Sequence, residues 1–266
     1  MPIPAEIASQ HEAWQRFANH LADTARPITT QYFRSSVTTH IKADASPVTC
    51  ADKETETAIR ELIRQHYPEH GIYGEEWGIE NPDAPLRWVI DPIDGTKAFI
   101  AGIPSFVTLI ALCYEDTPIL GLIDQPVSNE RWLGMAGCAT TYNNRTIACL
   151  NNSVEDLPLA LLGTTDPFLF TEDKAQQYRR LHAACANQIC GGDGYLYARL
   201  CSGSPQIICE SGLKPHDFAA LRPVIEGSGG IITDWQGNPL TLQSNGDILA
   251  SNNAALHQAA LSALRI

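Results

Sequence analysis

Residues 88–96 have the sequence Trp88-Val89-Ile90-Asp91-Pro92-Ile93-Asp94-Gly95-Thr96, in which a short apolar run ends at two carboxylates, a glycine and a threonine. Its β-branched and aromatic side chains favour a buried strand from Arg87 to Ile90. Pro92 restricts φ and Gly95 permits a sharp turn, so Asp91 and Asp94 can face one point from a stiff loop. Two converging carboxylates repel each other unless a cation lies between them. The stretch therefore predicts a cation site at the carboxyl end of a buried strand.

The residues after Gly95, from Thr96 to Ile100, favour a helical turn whose free main-chain N–H groups suit an anionic oxygen. Taken alone, Asp94-Gly95-Thr96 is a common polar turn. The full Asp-Pro-Ile-Asp-Gly-Thr after an apolar strand is more specific, and it resembles the signature of the inositol-monophosphatase-like family of metal-dependent phosphatases. The resemblance implies an α/β fold, namely the layered α/β/α/β/α sandwich of the inositol monophosphatase and fructose-1,6-bisphosphatase superfamily.

A chain of 266 residues can bury a large core, in one domain or in two that pack closely. Its 44% hydrophobic and 18% charged residues are typical of a folded globular protein. The resemblance implies a single catalytic domain over residues 1–266. Its N-terminal α+β half would end at about residue 150, and its C-terminal α/β half would cover 151–266.

The formal net charge of −12 argues against nucleic acid and anionic membranes as partners, because both are themselves negative. It does not argue against a phosphorylated metabolite. An acidic cluster can receive a phosphate if bound cations reverse the local field. The charge balance therefore favours a metal site for a phosphoester substrate.

Residues 1–30 lack the apolar region of a signal peptide, and no apolar run approaches the ~20 residues of a membrane span. The eight cysteines include no C-x-x-C pair, which argues against a zinc site. Their even number permits disulfides, but small buried thiols fit a long chain without a secretion signal better. We therefore expect a cytoplasmic protein.

The polar stretch from Lys42 to Asp52 precedes a predicted amphipathic helix over Lys53–His66, with Ala58, Leu62 and Ile63 inward. Thr49 or Asp52 fits an ordinary helix N-cap. The resemblance gives the stretch a second role as a metal-binding loop. On that basis Lys42 lies near the site, and Asp52 and Thr96 form a dyad that orients a metal-bound water.

Two further acidic positions complete the candidate metal site. Glu75 ends a predicted short strand just before that of Asp91, and hard divalent cations require several oxygen ligands. As a surface residue Glu75 would be unremarkable. Asp217 follows Pro215 in the first turn of a predicted helix, where it would serve equally well as a cap.

The resemblance assigns both residues to metal ligation. One Mg²⁺ would be held by Glu75, Asp91 and the Ile93 carbonyl, and a second by Asp91, Asp94 and Asp217. A third, weaker Mg²⁺ would lie near Asp52. Glu75 and the Thr96–Asp52 dyad would position the attacking water, and the main-chain N–H groups of Gly95 and Thr96 would bind the phosphate. His216 replaces an aromatic residue common in the family, and we expect this to affect the pocket wall more than the metals.

Within the family, the stretches around Asp193, Glu210 and the Asp91 motif are most similar to the histidinol-phosphate phosphatases. Asp193 could also simply cap a helix. Histidinol phosphate carries an ammonium and an imidazole, which Asp193 and Glu210 would suit. Inositol-1-phosphate and 3′-phosphonucleotide phosphatases are the alternative enzymes, and a non-catalytic binding protein is the alternative class. The resemblance also implies a homodimer.

The remaining pattern predicts an N-terminal helix from Ala5 to about Leu21, a break at Pro27 and a second segment at 31–35. Short turns predict an antiparallel meander through three strands, with further strand candidates at Thr146–Cys149 and Leu159–Gly163. Another strand is predicted at Pro239–Leu242, and Pro223 should kink the helix that follows Asp217. The predicted meander strands are Phe106–Leu112, Ile119–Ile123 and Arg131–Ala136.

Overall fold

The computed structural model of the protein describes residues 9–35, 39–41, 47–149 and 154–265, with the backbone alone at 39–41, 47 and 48. Helices and strands are interspersed along these residues. The helices are α1 (His11–Tyr32), α2 (Cys50–His66), α3 (Thr96–Ile100), α4 (Glu172–Ala184), α5 (Asp193–Leu200), α6 (Pro215–Phe218), α7 (Leu221–Gly227) and α8 (Ala254–Arg265). A 3-10 turn covers Leu157–Leu159. No helix among the described residues is both long enough and apolar enough to cross a membrane.

The strands form two large sheets and one small one. The small sheet pairs β1 (Thr39–Ile41) with β2 (Pro47–Thr49). The eight-stranded sheet has the order β10-β9-β8-β7-β6-β5-β3-β4, and the five-stranded sheet has the order β12-β11-β13-β15-β14. Their strands are β3 (Gly71–Gly74), β4 (Gly78–Glu80), β5 (Leu86–Asp94), β6 (Val107–Tyr114), β7 (Thr117–Gln125), β8 (Glu130–Met135), β9 (Thr141–Tyr142), β10 (Arg145–Thr146), β11 (Leu161–Thr164), β12 (Asn187–Cys190), β13 (Ile207–Glu210), β14 (Ile231–Asp234) and β15 (Ile248–Ser251).

The pairing of β6, β7 and β8 is antiparallel throughout, which confirms the predicted meander for these three strands. The candidate at Leu159–Gly163 is not part of it, because β11 belongs to the five-stranded sheet. By contrast, β3 pairs with β5 in parallel, so these two strands end at the same edge of the sheet. In the other large sheet β11 is parallel to both of its neighbours. The parallel pairs matter for function, because residues that follow adjacent parallel strands lie side by side.

Alternate side chains of β5 contribute to two different cores, as the period of a strand requires. Ile90 packs with residues of α1 and α2 on one face of the eight-stranded sheet. Val89 points to the other face, where it joins a core that includes residues of α5 and α7. The eight-stranded sheet is therefore covered by helices on both faces.

The five-stranded sheet shares the central helices. Ile208 packs into the same core as α5 and α7. Its neighbour Ile207 points to the opposite face and packs with residues of α4 and α8. The resulting order of layers is helix, sheet, helix, sheet, helix, which confirms the predicted α/β/α/β/α fold.

The predicted break at Pro27 is wrong, because α1 continues through it to Tyr32. A proline inside a helix loses one main-chain hydrogen bond and crowds the carbonyl four residues earlier. Here tertiary contacts hold the helix on both sides of the proline. Ala25 and Thr29 are fully buried, and Arg26 forms an ion pair with Asp124 of β7.

Pro223 does not kink a continuous helix, because the chain forms two short helices, α6 and α7, instead of one. Pro223 falls in the first turn of α7, where main-chain N–H groups have no partner within the helix and proline is tolerated. The predicted strand at Pro239–Leu242 is also wrong. That segment makes an isolated bridge between Pro239 and Thr233.

The inward face of α2 differs from the predicted one. Ile63 is buried as expected, but Ala58 and Leu62 are only partly buried, and the neighbouring positions Glu56, Ile59 and Arg60 are buried. Glu56 and Arg60 form a buried ion pair with a separation of 2.7 Å. Sequence patterning underestimates this face because a paired carboxylate and guanidinium occupy core positions.

Candidate metal and substrate site

The Asp91 motif is shaped by an irregularity at the end of β5. The pairing of β5 with β6 shifts register between Asp91 and Asp94. The main-chain N–H of Ile93 donates to Oδ1 of Asp91 across 3.1 Å. Gly95 then adopts φ +89°, a conformation that favours glycine, and α3 begins at Thr96. This local geometry lets two carboxylates from one strand end face the same point.

Glu75 reaches that point because β3 and β5 are parallel neighbours. Its main-chain N–H donates to the Ile90 carbonyl at 3.2 Å, which fixes it beside the start of the motif. The turn after it is held by Glu56, which accepts the main-chain N–H groups of Glu76 and Trp77 at 2.7 and 3.2 Å. The buried ion pair of α2 thereby supports the position of Glu75.

Asp217 comes from the far side of the site, in the first turn of α6. Its Oδ2 accepts the main-chain N–H of Lys214 at 2.6 Å. One oxygen from each of Asp91, Asp94 and Asp217 lies within 4.8 Å of the other two. Glu75 and Asp91 form a second group of this kind with a ring nitrogen of His216. The structure thus brings together the four carboxylates that the sequence singled out.

The carboxylates of this cluster resist ionisation. Burial raises the pKa of Asp91 well above its ordinary value, and the charges of Glu75, Asp94 and Asp217 raise it further. Burial likewise raises the pKa of Asp94, with Asp193 as the next largest cause. A positive charge between the carboxylates would reverse these effects, because it stabilises their ionised forms.

The donor set fits hard divalent cations. Such ions prefer several carboxylate and carbonyl oxygens, and four carboxylates come together here. The carbonyl of Ile93, two residues after Asp91, accepts the Thr96 hydroxyl at 3.1 Å. Two nearby buried atoms have no hydrogen-bond partner among the described residues. They are Oδ1 of Asp52 and Nδ1 of His216.

Asp52 is a helix cap in this structure. Its Oδ2 accepts both the main-chain N–H and the hydroxyl of Thr49, at 2.8 and 2.6 Å, and the Thr49 hydroxyl accepts the Ala51 N–H in return. Burial raises the pKa of Asp52, and the nearby charge of Glu75 adds to this rise. The Thr96 hydroxyl donates to the Ile93 carbonyl and not to Asp52. The Asp52–Thr96 dyad therefore remains a prediction. Lys42 lies outside the described residues.

A cavity of about 290 Å³ opens over the carboxylates. Seven of the residues singled out from the sequence line it, which places the candidate metal ligands and substrate contacts around one space. They are Glu75, Asp94, Gly95, Thr96, Asp193, Glu210 and Asp217. Asp91 is 2% exposed and lies beneath the cavity.

Asp193 and Glu210 approach the cavity from the five-stranded half. Asp193 has φ +43° at the start of α5, and burial raises its pKa to about 6 against the opposing charge of Lys97. Glu210 ends β13 and accepts the main-chain N–H of Thr165. Burial raises the pKa of Glu210 to about 7. Both groups can therefore change charge near neutral pH.

Sequence reasoning missed two residues of the site. It expected His216 to affect the pocket wall more than the metals, but a ring nitrogen of His216 lies within 4.8 Å of oxygens of Glu75 and Asp91. It also passed over Asp166, which lines the cavity just after β11. Asp166 could have been found from its position just beyond the end of a strand. His216 could have been found because it is adjacent to Asp217.

Comparison with known proteins shows which family the chain resembles. The model of the inositol monophosphatase family matches residues 10–266. The "Bifunctional phosphatase IMPL2, chloroplastic" of Arabidopsis thaliana is 43% identical, over 98% of this chain and 78% of that protein. A histidinol-phosphatase of Chlorobaculum parvum is 30% identical, over 90% of this chain and 92% of that protein.

The solved structure of an inositol monophosphatase from Zymomonas mobilis superimposes with a TM-score of 0.88. It is 43% identical in sequence, and the match covers 96% of this chain and 99% of that one. Fold, family match and relatives of similar length agree, so the chain belongs to the inositol monophosphatase family of phosphatases.

Proposed function

We propose that this protein is a Mg²⁺-dependent phosphomonoesterase and that its substrate is L-histidinol phosphate, which it would convert to L-histidinol and phosphate in histidine biosynthesis. The observation that carries the proposal is the convergence of Glu75, Asp91, Asp94 and Asp217 beneath a cavity that holds further acidic groups. The family is generally Mg²⁺-dependent, which supports this choice of metal.

Glu75, Asp91 and the Ile93 carbonyl would hold one Mg²⁺, and Asp91, Asp94 and Asp217 a second, with a third, weaker one near Asp52. Bound Mg²⁺ supplies a more acidic water, neutralises the phosphate charge and stabilises the leaving oxygen. Glu75, Thr96 and Asp52 would orient the attacking water. The main-chain N–H groups of Gly95 and Thr96 would hold the phosphate, assisted by Lys42 near the site.

The charges around the cavity support a cationic substrate. Asp166, Asp193 and Glu210 line it beyond the metal ligands, and Lys97 is the one basic side chain among its described lining residues. An ammonium group would stabilise the ionised forms of Asp193 and Glu210 and so offset the burial that raises their pKa. Charge-assisted hydrogen bonds of this kind are stronger than neutral ones.

Inositol 1-phosphate is the second candidate substrate, because Glu210 can also hold a hydroxyl group and the Zymomonas mobilis relative is named an inositol monophosphatase. A 3′-phosphonucleotide is the third. A non-catalytic binding protein would need the same cavity without hydrolysis. The proposal also includes a cytoplasmic homodimer, which sedimentation of the purified protein would test for its oligomeric state.

The deciding experiment measures kcat/KM with Mg²⁺ for histidinol phosphate, myo-inositol 1-phosphate and 3′-phosphoadenosine 5′-phosphate. We expect histidinol phosphate to exceed the others by at least about tenfold, since one charge-assisted hydrogen bond contributes about 1.5–3 kcal/mol. A reversed order would overturn the substrate assignment. Glu75→Gln, prepared identically, controls for contaminating phosphatases, and equal activity in that variant would overturn catalysis at this site.

A further inference from the structure

We propose that His216 provides a nitrogen ligand to the cation held by Glu75 and Asp91, and that this ligand raises the affinity of the position for Mn²⁺ relative to Mg²⁺. The inference rests on the proposed function, because it takes these carboxylates as metal ligands. It departs from the all-oxygen ligand set that the sequence motifs imply. The His216 ring belongs to the short helix α6.

The imidazole of His216 lies at the correct place for such a role. One of its ring nitrogens is within 4.8 Å of oxygens of both Glu75 and Asp91, and those oxygens are within 4.8 Å of each other. Three groups at these separations can surround one cation after small adjustments, since the ligands of Mg²⁺ lie at about 2.0–2.1 Å. The three residues come from different elements, so the fold itself assembles the group.

The ring is poorly satisfied by the protein alone. Its Nδ1 is buried and has no hydrogen-bond partner among the described residues. Its Nε2 lies 3.5 Å from Oδ1 of Asp217, longer than a usual N–H···O hydrogen bond. A buried polar atom without a partner costs free energy, so the protein alone leaves this ring incompletely satisfied.

The orientation of the ring is fixed by packing. Tyr73 meets it edge to face, with ring centroids 6.0 Å apart and planes at 84°. Only 13% of the His216 side chain is exposed. A ligand whose rotamer is held in advance loses little freedom when a metal binds.

Imidazole changes which metal such a site prefers. Carboxylate, carbonyl and water ligands suit Mg²⁺, Ca²⁺ and Mn²⁺, whereas imidazole suits later transition metals. Mn²⁺ shares the oxygen ligands of Mg²⁺, but unlike Mg²⁺ it belongs to the first-row series whose affinity for N/O sites follows the Irving–Williams order. Replacing one oxygen by nitrogen should therefore raise affinity for Mn²⁺ relative to Mg²⁺ at this position.

Electron spin echo spectroscopy with Mn²⁺ tests the proposal directly, because it detects the ¹⁴N nucleus of a coordinated imidazole. We expect a ¹⁴N modulation in the wild-type protein that changes to ¹⁵N frequencies after ¹⁵N-histidine labelling. His216→Phe keeps a ring against Tyr73 and should abolish the modulation. His182→Phe alters an exposed histidine of α4 and should retain it.

Calorimetric titration of the same proteins with Mn²⁺ and Mg²⁺ gives the ratio of the two affinities. We expect His216→Phe to reduce the affinity for Mn²⁺ by about tenfold or more, because losing partners around a metal costs about 10–100-fold, and to reduce the affinity for Mg²⁺ less. Wild-type protein that binds Mn²⁺ without histidine modulation would overturn the proposal even if His216→Phe failed to fold. Histidinol-phosphate hydrolysis is measured separately, so that result would leave the proposed function intact.

Discussion

The main-chain N–H of Gly194 donates a hydrogen bond to Oδ2 of Asp94, although the two residues are 100 positions apart in the sequence. The bond joins the end of β5 to the first turn of α5, and so links the candidate metal ligands to the half of the protein that carries Asp193. The approach is close because Gly194 has no side chain. A Cβ atom there would lie 2.5 Å from the Asp94 carboxylate and 3.0 Å from Val107.

Gly194→Ala should therefore displace Asp94 and weaken divalent cation binding. Inserting an atom into a packed site typically costs about 1–3 kcal/mol of stability. Mg²⁺ titration calorimetry and thermal unfolding would measure both effects. Gly163→Ala is the control, because its Cβ would meet Leu196 at 2.7 Å without touching Asp94. Loss of stability with unchanged cation affinity is expected there, and equal affinities in both variants would contradict the prediction.

Asp91→Asn should abolish Mg²⁺-stimulated hydrolysis and stabilise the metal-free protein. The loss of activity should exceed about 100-fold, because changes beyond the direct ligands already cost about 10–100-fold. Stability should rise because the substitution removes one of several buried, mutually repelling carboxylates while its amide oxygen can still accept the Ile93 N–H. Activity assays and thermal unfolding in EDTA test this, with the exposed Asp83→Asn as control.

The stability of the metal-free protein should fall as pH rises. Burial raises the pKa of Asp91 and Asp94, so the folded protein retains protons that the unfolded chain releases above about pH 4. The free energy of unfolding therefore decreases with pH up to the raised pKa values. Calorimetry at pH 5 and pH 8 should show that Mg²⁺ raises Tm more at pH 8. Asp94→Asn should reduce this difference, and a pH-independent effect of Mg²⁺ would contradict the explanation.

Glu210→Gln should raise KM for histidinol phosphate by about tenfold or more, because a hydrogen bond to a charged group contributes about 1.5–3 kcal/mol. KM for p-nitrophenyl phosphate, whose nitrophenyl group is uncharged, should change little.

In the wild type, KM for histidinol phosphate should fall from pH 5 to pH 8 as Asp193 and Glu210, with pKa values of about 6 and 7, become negative. Steady-state kinetics across this range would check it, and a parallel change for both substrates would argue against a charge contact.

Asp124→Ala should destabilise the protein by about 3–5 kcal/mol, because it leaves two guanidinium groups without their buried partner. Arg26 approaches Asp124 at 3.0 and 2.6 Å, and Nε of Arg131 lies at 2.6 Å. The Asp124 side chain is 1% exposed. Urea unfolding measures the loss. Glu12→Ala, which removes an exposed ion pair with Arg16, should cost less than about 1 kcal/mol.

The sequence best predicted those parts of the site that lie within one continuous segment of the chain. The turn at Gly95 and the helix from Thr96 follow from the conformational limits of proline and glycine, whereas β5 continues to Asp94, beyond the predicted end at Ile90. Prediction failed where distant contacts override local preference. Pro27 stays helical because Arg26 is held by Asp124, about a hundred residues away.

By itself the sequence determined the strand before Asp91 and the turn at Gly95, because these depend on neighbouring residues. Its resemblance to a known family implied the layered fold and the choice of the four carboxylates. Only the tertiary structure decided that a ring nitrogen of His216 lies within reach of Glu75 and Asp91, and that Asp166 shares their cavity. These distances depend on how parallel strands and short helices from separate segments pack. A one-dimensional pattern carries no such information when the partners are distant in the chain.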